Sequence, residues 1–229
     1  MRNIALMVMA LLFTSVIAGQ EKELRSVSEF VSVDVSSGID LYYTQASETK
    51  VEVVCSKDDL HRLITKVQGN TLKVYMEGSS GWNWITGAAP KVYVSAAQLE
   101  NLSASGGADV YGQNVIKGAS VTLNASGGAD IYMELRSRVL TLISSGGADI
   151  KVKGQCDQLE ATASGGSDIH ARELKAQKVK VTTSGGAEAI VWAEKEIIAK
   201  ASGGSDIDYY GKPDLKELNE SGAGDISQR

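Results

Sequence analysis

The sequence predicts an all-β protein whose main part is a right-handed, single-stranded parallel β-helix with rungs of about 19 residues. The first observation behind this prediction is a pentapeptide of the form Ser-Gly-Gly-Ala-Asp, which returns at intervals of 18 to 21 residues. Repetition at such a period is typical of solenoid proteins. The seven copies begin at Ser105, Ser126, Ser145, Ser164, Ser184, Ser202 and Ser221, and the last copy is degenerate.

The second observation is an alternation of apolar and polar residues on both sides of each pentapeptide. Val121, Leu123 and Ala125 alternate with polar residues before one pair of glycines, and Ile131 and Met133 do so after it. A period of two indicates short strands with one buried face, and glycine supplies the backbone conformations of a tight corner. A unit this small cannot bury its own apolar face, so it must stack on identical units. Nearly all parallel crossovers are right-handed, which predicts the hand of the coil.

The first 19 residues have the pattern of a secretory signal peptide. Arg2 is a short positive start, residues 4–17 are apolar, and Ala18 and Gly19 are small residues suited to cleavage. No cysteine follows at once, so we do not expect a lipoprotein. We expect an exported protein without a transmembrane segment in its mature chain, located in the periplasm, outside the cell or on its surface.

Charge and cysteine content restrict the partners. Without Arg2 the chain has 22 basic and 28 acidic residues, a net charge of about −6, and no basic stripe is visible. We therefore expect no nucleic-acid partner. Cys55 and Cys156 fall in different predicted regions, and they could form a disulfide or remain buried free thiols.

Residues 20–98 are expected to form a separate β-rich part that caps the stack, and residues 99–229 to form the β-helix with its seven corners. Alternating stretches begin near Phe30 and Val51, and residues 66–76 read as a hairpin with Gly69-Asn70 as its turn. A cap is needed because an open rung exposes unpaired backbone groups.

The chain resembles the auto-transporter adhesin head domain family, also called the head GIN domain, over essentially all of its mature length. The resemblance implies a right-handed β-helix and an adhesive or surface role, and it implies no catalytic residues. The residues that carry it are the Phe30-x-x-Val33-x-Val35-x-x-Gly38-Ile39-Asp40 opening, the Leu72-x-Val74 and Val92-x-Val94 strands, and Leu99-x-x-Leu102-x-x-Ser105-Gly106-Gly107-Ala108-Asp109.

Stacking in register would align the acidic residue of every corner in one column. At a rung spacing of about 4.8 Å, two carboxylates repel by roughly 0.9 kcal/mol in water and roughly 3.5 kcal/mol at an effective dielectric of 20. One interpretation is that backbone N–H groups and the preceding serine hydroxyls compensate this charge. The other is a row of calcium sites, since calcium prefers oxygen ligands. The candidate metal ligands are Asp109, Asp130, Asp149, Asp168 and Asp206; otherwise we expect no cofactor.

Two sets of aromatic residues are candidate ligand-binding residues. Tyr111 and Tyr132 occupy the next outward position after an acid, where rings beside carboxylates could hold a sugar chain. Trp82 and Trp84 lie in a Gly- and Ser-rich loop, where large aromatic residues suit recognition. The alternatives are a plain solvated face for the tyrosines and an end plug for the tryptophans.

Catalysis has little support in the sequence. His61 and His170 are the two histidines, and the motifs of serine hydrolases and zinc peptidases do not occur. We therefore predict a non-enzymatic, exported binding module, an adhesin-like protein that recognises carbohydrate or protein at the cell envelope. The alternative is a structural envelope protein, a homo-oligomer that assembles through its β-helix end or its acidic face.

Overall fold

The computed structural model describes residues 20–78 and 88–229, and it confirms a parallel β-helix of about seven turns. Eight strands precede the long rungs: β1 (Gln20–Arg25), β2 (Ser32–Val35), β3 (Asp40–Gln45), β4 (Lys50–Ser56), β5 (Leu63–Gln68), β6 (Thr71–Met76), β7 (Lys91–Ala96) and β8 (Asn101–Ser105). The long rungs are β9 (Asp109–Ser126), β10 (Asp130–Gly146), β11 (Asp149–Gly165), β12 (Asp168–Gly185) and β13 (Glu188–Gly203). Three shorter strands come after them: β14 (Asp206–Tyr210), β15 (Leu215–Gly222) and β16 (Asp225–Gln228). The predicted signal peptide lies outside the described residues.

Successive rungs stack in parallel register, so equivalent side chains form columns along the helix axis. Ile131 of β10 pairs with Ile150 of β11, which pairs with Ile169 of β12, and all three are fully buried. Their contacts run from rung to rung, because each side chain faces the narrow interior with its equivalents above and below. Each buried aliphatic side chain contributes about 1.5–3 kcal/mol, which is the main stabilisation of the coil.

Each long rung is one continuous strand, whereas the sequence indicates two short ones. The backbone pairing of β10 with β11 continues through Ser137 and resumes at Val139, and only Arg138 between them has no partner. The alternation of buried and outward residues is interrupted here, because the next buried leucine after Leu135 is Leu140, an odd number of residues later. The second corner is therefore a bend within the strand, which keeps its hydrogen bonds to the neighbouring rung while it turns the chain.

The order of rungs in space differs from their order in the chain. β2 pairs in parallel with both β6 and β8, and β3 pairs in parallel with both β7 and β9. Residues 32–45 thus form a rung between the one built from β6 and β7 and the one that begins the repeats. Its corner stacks on the first Gly-Gly corner, where Gly38 N donates to Gly106 O at 3.0 Å.

Antiparallel strands lie beyond that end of the stack. β4 pairs with β7 and β1 pairs with β4, while β5 and β6 form the predicted hairpin with Gly69 at φ 63°. Where the sequence indicates only a polar segment, Lys57–Leu60 form the single-turn helix α1, capped by Ser56. No described helix is long and apolar enough to cross a bilayer. The division at residue 98 stays a prediction of the sequence.

Both cysteines are free and buried, which matches the second of the two alternatives. Burial is the largest influence on each thiol. It raises the pKa of Cys55 to about 11 and that of Cys156 to about 12. Neither thiol is therefore ionised near neutral pH.

The last rung places polar side chains where earlier rungs place apolar ones. Lys216 pairs with Ile197, Glu220 with Ala201 and Gln228 with Tyr209, and each of these partners is buried. Lys216 Nζ donates to Gln228 Oε1 at 2.8 Å, and Glu220 Oε1 accepts from the backbone N–H of Ile226 at 2.9 Å. Three inward columns thus end in polar groups, a known device against edge-to-edge assembly.

The corners differ in how closely consecutive rungs approach. Gly106 and Gly185 are the first glycines of their corners, with φ of 59° and 79°, in the left-handed region that disfavours other residues. A Cβ on Gly106 would lie 3.6 Å from its nearest neighbour, Ser37 N. A Cβ on Gly185 would lie 2.9 Å from Gly165 O, closer than side chains tolerate.

We predict that the polar end keeps the natural chain from associating through its last rung. Lys216→Val/Glu220→Val should produce concentration-dependent dimers, because it leaves an apolar open rung with unpaired strand edges. Light scattering after size exclusion measures the mass. Glu217→Val/Asn219→Val changes outward positions of the same strand and should leave a monomer. Equal association of both variants, or of neither, would contradict this role for the end.

The corner geometry predicts that replacing a corner glycine by alanine lowers the free energy of unfolding more at some corners than at others. Gly106→Ala should lower the free energy of unfolding by about 1–2 kcal/mol, the cost of a left-handed backbone. Gly185→Ala should cost a further 1–3 kcal/mol or so, because the new methyl group overpacks the rung below. Urea denaturation measures both values, and equal losses would show that rung contact is unimportant at this corner.

Candidate binding face

The acidic residues of all the corners lie in one column on the outer face of the sheet that follows each corner. The register also adds Asp40 from β3 to the column, next to Asp109. The column runs Asp40, Asp109, Asp130, Asp149, Asp168, Glu188, Asp206 and Asp225. The sequence shows seven of these acids from the repeats, and Asp40 belongs to the early corner that precedes them.

Side-chain hydroxyl groups bind several of these carboxylates. Tyr132 Oη donates to Asp130 Oδ2 at 3.2 Å, and Ser227 Oγ donates to Asp225 Oδ2 at 2.7 Å. The donor lies two residues after its acid in both cases. Two of the corner serines expected to help instead donate to a carbonyl of the rung below, Ser202 Oγ at 3.3 Å and Ser221 Oγ at 3.5 Å.

Two carboxyl groups of the column have raised pKa values. The pKa values of Asp109 and Asp149 are raised, first by burial and then by the neighbouring carboxylates, Asp130 in both cases. A hydrogen bond from Tyr111 partly opposes the shift at Asp109, and the charge of His170 partly opposes it at Asp149. The column is thus an acidic strip, in which burial and neighbouring charge together raise the pKa of Asp109 and of Asp149.

No group of three or more His, Cys, Asp or Glu side chains within residues 20–78 and 88–229 is arranged to hold a metal ion. The column presents its carboxylates one per rung, whereas calcium takes six to eight oxygen ligands. The calcium hypothesis stays a prediction without geometric support.

Four tyrosines form a stacked ladder beside the acidic strip. Tyr42 lies between Tyr93 and Tyr111, with ring centroids 4.9 and 5.3 Å away, and Tyr111 stacks on Tyr132 at 5.4 Å with planes 5° apart. Both faces of Tyr42 and Tyr111 are therefore covered by other rings. Tyr93 and Tyr132 end the ladder, are 40% and 38% exposed, and each keep one ring face free of the ladder.

The sequence prediction included Tyr111 and Tyr132 but missed Tyr42 and Tyr93. Tyr42 follows Asp40 by two residues, the same spacing as in the repeats, so this signal was present in the sequence. Tyr93 follows Lys91 instead of an acid, and the parallel pairing of β3 with β7 brings it to the ladder. The predicted site residues Trp82 and Trp84 lie outside the described residues.

A groove of about 700 Å³ is lined by Tyr132, the last ring of the ladder. Its floor is the outer face of β10 and β11, with Glu134, Lys151 and Lys153, and His170 continues it on β12. The groove crosses the strands, so it runs roughly along the helix axis. Tyr132 is the aromatic wall at one end.

Two β-bulges bound this groove along the helix axis, one beyond each edge of its floor. On β9 the pairing with β10 skips residues 112–114, and Asn114 is held in place by two hydrogen bonds of 2.9 Å to the backbone of Gln45. On β12 the pairing with β13 skips residues 172–174, which include Arg172. Bulges often occur next to binding sites, because they redirect side chains out of the regular sheet.

Unequal repeat lengths in the sequence indicate where the two bulges lie. The rungs that begin at Ser105 and Ser164 are 21 and 20 residues long, while the two between them have 19. The extra residues are those that leave the strand pairing on either side of the groove. Unequal repeat lengths therefore mark the site, although they do not say which residues protrude.

A model of the family described as "Putative auto-transporter adhesin, head GIN domain" matches residues 29–213. The chain belongs to this family. The match covers the rung of β2 and β3, the ladder, the groove and most of the repeats. No curated protein is matched by this chain.

Solved structures of similar proteins share the fold. A putative adhesin from Bacteroides fragilis aligns with a TM-score of 0.86 at 23% identity, over 93% of this chain and 98% of that one. A putative adhesin from Parabacteroides merdae aligns with a TM-score of 0.70 at 18% identity, over 93% and 97%. A protein from Parabacteroides distasonis named as a putative lipid binding protein also aligns at 0.70 and 18%, over 92% and 97%.

Neutralising one carboxylate of the acidic strip should raise the free energy of unfolding by an amount that depends on pH. The raised native pKa of Asp149 means that the folded state binds more protons than the unfolded state between the ordinary value of 3.8 and the native value. Its contribution to stability therefore falls as pH rises through that window. Asp149→Asn should raise the free energy of unfolding at pH 7 by about 0.5 kcal/mol, the scale of solvent-screened charges. This advantage should disappear below about pH 3.8.

Urea denaturation at pH 7 and pH 3.5 measures the difference. Asp157→Asn, on the same strand but outside the strip, is the matched control and should show no such pH-dependent gain. A destabilised Asp149→Asn at pH 7 would mean that hydrogen bonds to this carboxylate outweigh the repulsion between neighbours.

Proposed function

We propose that this protein is an exported, non-enzymatic binding module that recognises carbohydrate at the cell envelope. The groove between the two bulges is its binding site. The observation that carries the proposal is the exposed Tyr132, which ends the ring ladder and lines an open groove of polar and charged side chains. Membership in a family described as adhesins, and the signal-peptide pattern of residues 1–19, support the exported setting.

The shape and chemistry of the groove suit a sugar chain. A sugar ring has an apolar face that can stack on an aromatic ring, and hydroxyl groups that need hydrogen-bonding partners. Tyr132 supplies the ring, while Asn114, Glu134 and His170 supply donors and acceptors around it. A groove that is open at the surface and crosses several rungs can hold an extended chain better than a single small molecule.

A protein partner has less support on the described surface. Protein interfaces have an apolar core surrounded by a polar rim. The exposed large hydrophobic side chains outside the tyrosine ladder are scattered among β1, β10 and β15, at Leu24, Ile143, Leu215 and Leu218. None of them lines the groove.

The arrangement of acids favours binding over catalysis. A glycosidase places two carboxyl groups on either side of the bond that it cleaves. The strip places its carboxylates in one line along a single side of the ladder. Within the groove, Glu134 is paired with Lys153, with 3.2 Å between Oε2 and Nζ.

The proposal predicts that glycan binding depends on Tyr132. On a glycan array, residues 20–229 should bind a defined set of glycans, and Tyr132→Ala should weaken binding by about tenfold, consistent with losing a contact of 1–1.5 kcal/mol. Tyr75→Ala, which removes a tyrosine of β6 outside the groove and the ladder, is the control and should bind normally.

A Trp82→Ala/Trp84→Ala variant tests the other predicted aromatic site. Loss of binding in this variant, with Tyr132→Ala unaffected, would place the site on the loop between β6 and β7. The absence of binding to any glycan would overturn the proposed function.

A further inference from the structure

The groove and the adjoining part of β12 carry more basic than acidic side chains, on a protein that is acidic overall. The chain has 28 acidic and 23 basic residues. Lys151, Lys153 and Arg172 nevertheless line the groove, and Lys175 follows on the same strand as Arg172. Only Glu134 and Glu173 oppose them among the acidic groove-lining residues. The register brings these basic residues together from separate rungs, which is why the sequence shows no basic stripe.

We propose that the ligand of this groove is an acidic polysaccharide, bound through its carboxylate groups by Lys151, Arg172 and Lys175. The inference rests on the proposed function and specifies its ligand class.

Three of these basic groups are available to bind an anion. Lys153 is neutralised by Glu134. In contrast, Lys151, Arg172 and Lys175 form no ion pair within 4 Å with any residue that the structure describes. All three are exposed. Other lysines of the same rung do have partners, since Lys178 pairs with Glu196 at 2.8 Å.

Aromatic rings hold two of these cations in position. The guanidinium carbon of Arg172 lies 4.3 Å from the ring centroid of Tyr210, and Lys175 Nζ lies 5.8 Å from that of Trp192. Trp192 and Tyr210 are themselves stacked, with planes 8° apart. A guanidinium stacked on a ring still directs N–H groups outward, where they can bind a carboxylate in a bidentate manner. Holding these long side chains in advance reduces the entropy lost on binding.

The acidic strip determines how an anionic chain would lie. Lys151 and His170 are in the row next to Asp149 and Asp168, so the strip borders the groove along one side. It repels carboxylates from that side, while Arg172 and Lys175 attract them on the other. A chain in the groove would therefore turn its carboxylates away from the strip and toward Arg172 and Lys175. Unlike charges on opposite sides thus fix the orientation of the chain.

The same surface fits other polyanions less well. Single-stranded nucleic acid needs several aromatic faces for its bases, and the ladder covers both faces of Tyr42 and Tyr111. A lipid surface requires apolar side chains that enter the membrane beside the basic groups. The exposed large aliphatic residues of the described chain lie elsewhere, as noted above.

The test is titration calorimetry of residues 20–229 with polygalacturonate and with its fully methyl-esterified form, which has the same backbone without charge. We expect binding to the acid form that weakens as salt is raised, and binding to the ester at least tenfold weaker. Arg172→Gln/Lys175→Gln should weaken binding to the acid form by at least tenfold. Lys178→Gln/Lys180→Gln removes the same charge from the same strand after its bend and should have little effect.

Each other outcome overturns the inference in a distinct way. Equal binding of the acid form and the ester, or binding only to neutral glycans on the array, would leave the proposed function standing with a neutral ligand. Binding to phosphatidylglycerol vesicles or to oligonucleotides that is stronger than to polygalacturonate, and that is lost in Arg172→Gln/Lys175→Gln, would assign the surface to that polyanion. No binding to any glycan would overturn the proposed function as well.

Discussion

The parallel hydrogen bonds between consecutive rungs are the constraint on which the rest of the structure depends. Because every rung pairs residue for residue with the next, a residue type repeated in the sequence becomes a column in space. The corners transmit this register, and at Gly185 the two rungs approach so closely that no side chain fits between them. Glycine there serves contact between rungs as well as a left-handed turn.

This constraint stabilises the interior and imposes a cost on the surface. Inward columns of isoleucine, leucine and valine bury one another, which is favourable at every step. Outward, the same register places one carboxylate above another, and this repulsion adds to burial in raising the pKa values of Asp109 and Asp149. The tyrosine ladder is the counterpart for aromatic residues, since their stacking at 4.9 to 5.4 Å is attractive.

The candidate site lies where the regular register is interrupted. The bulges on β9 and β12 bound the groove along the helix axis, and the bulge on β12 carries Arg172 to the ring of Tyr210. A regular solenoid offers a flat face, so specificity has to come from such departures. The last rung differs from the others in its inward side chains, because Lys216 and Glu220 stand where the preceding rung has apolar residues.

The sequence by itself determined the β-helix, its rung length and the alignment of the corner acids, because these follow from a period that stacking must preserve. It also indicated Tyr111 and Tyr132. Only the tertiary structure decided that β2 and β3 insert between two later rungs, which brings Asp40 and Tyr42 into the columns. It also decided that Tyr132 has a free face while Tyr111 has none, and that basic residues of separate rungs meet at one groove. These features depend on which rung lies next to which and where the pairing skips a residue, and both result from long-range contacts that a local pattern does not encode.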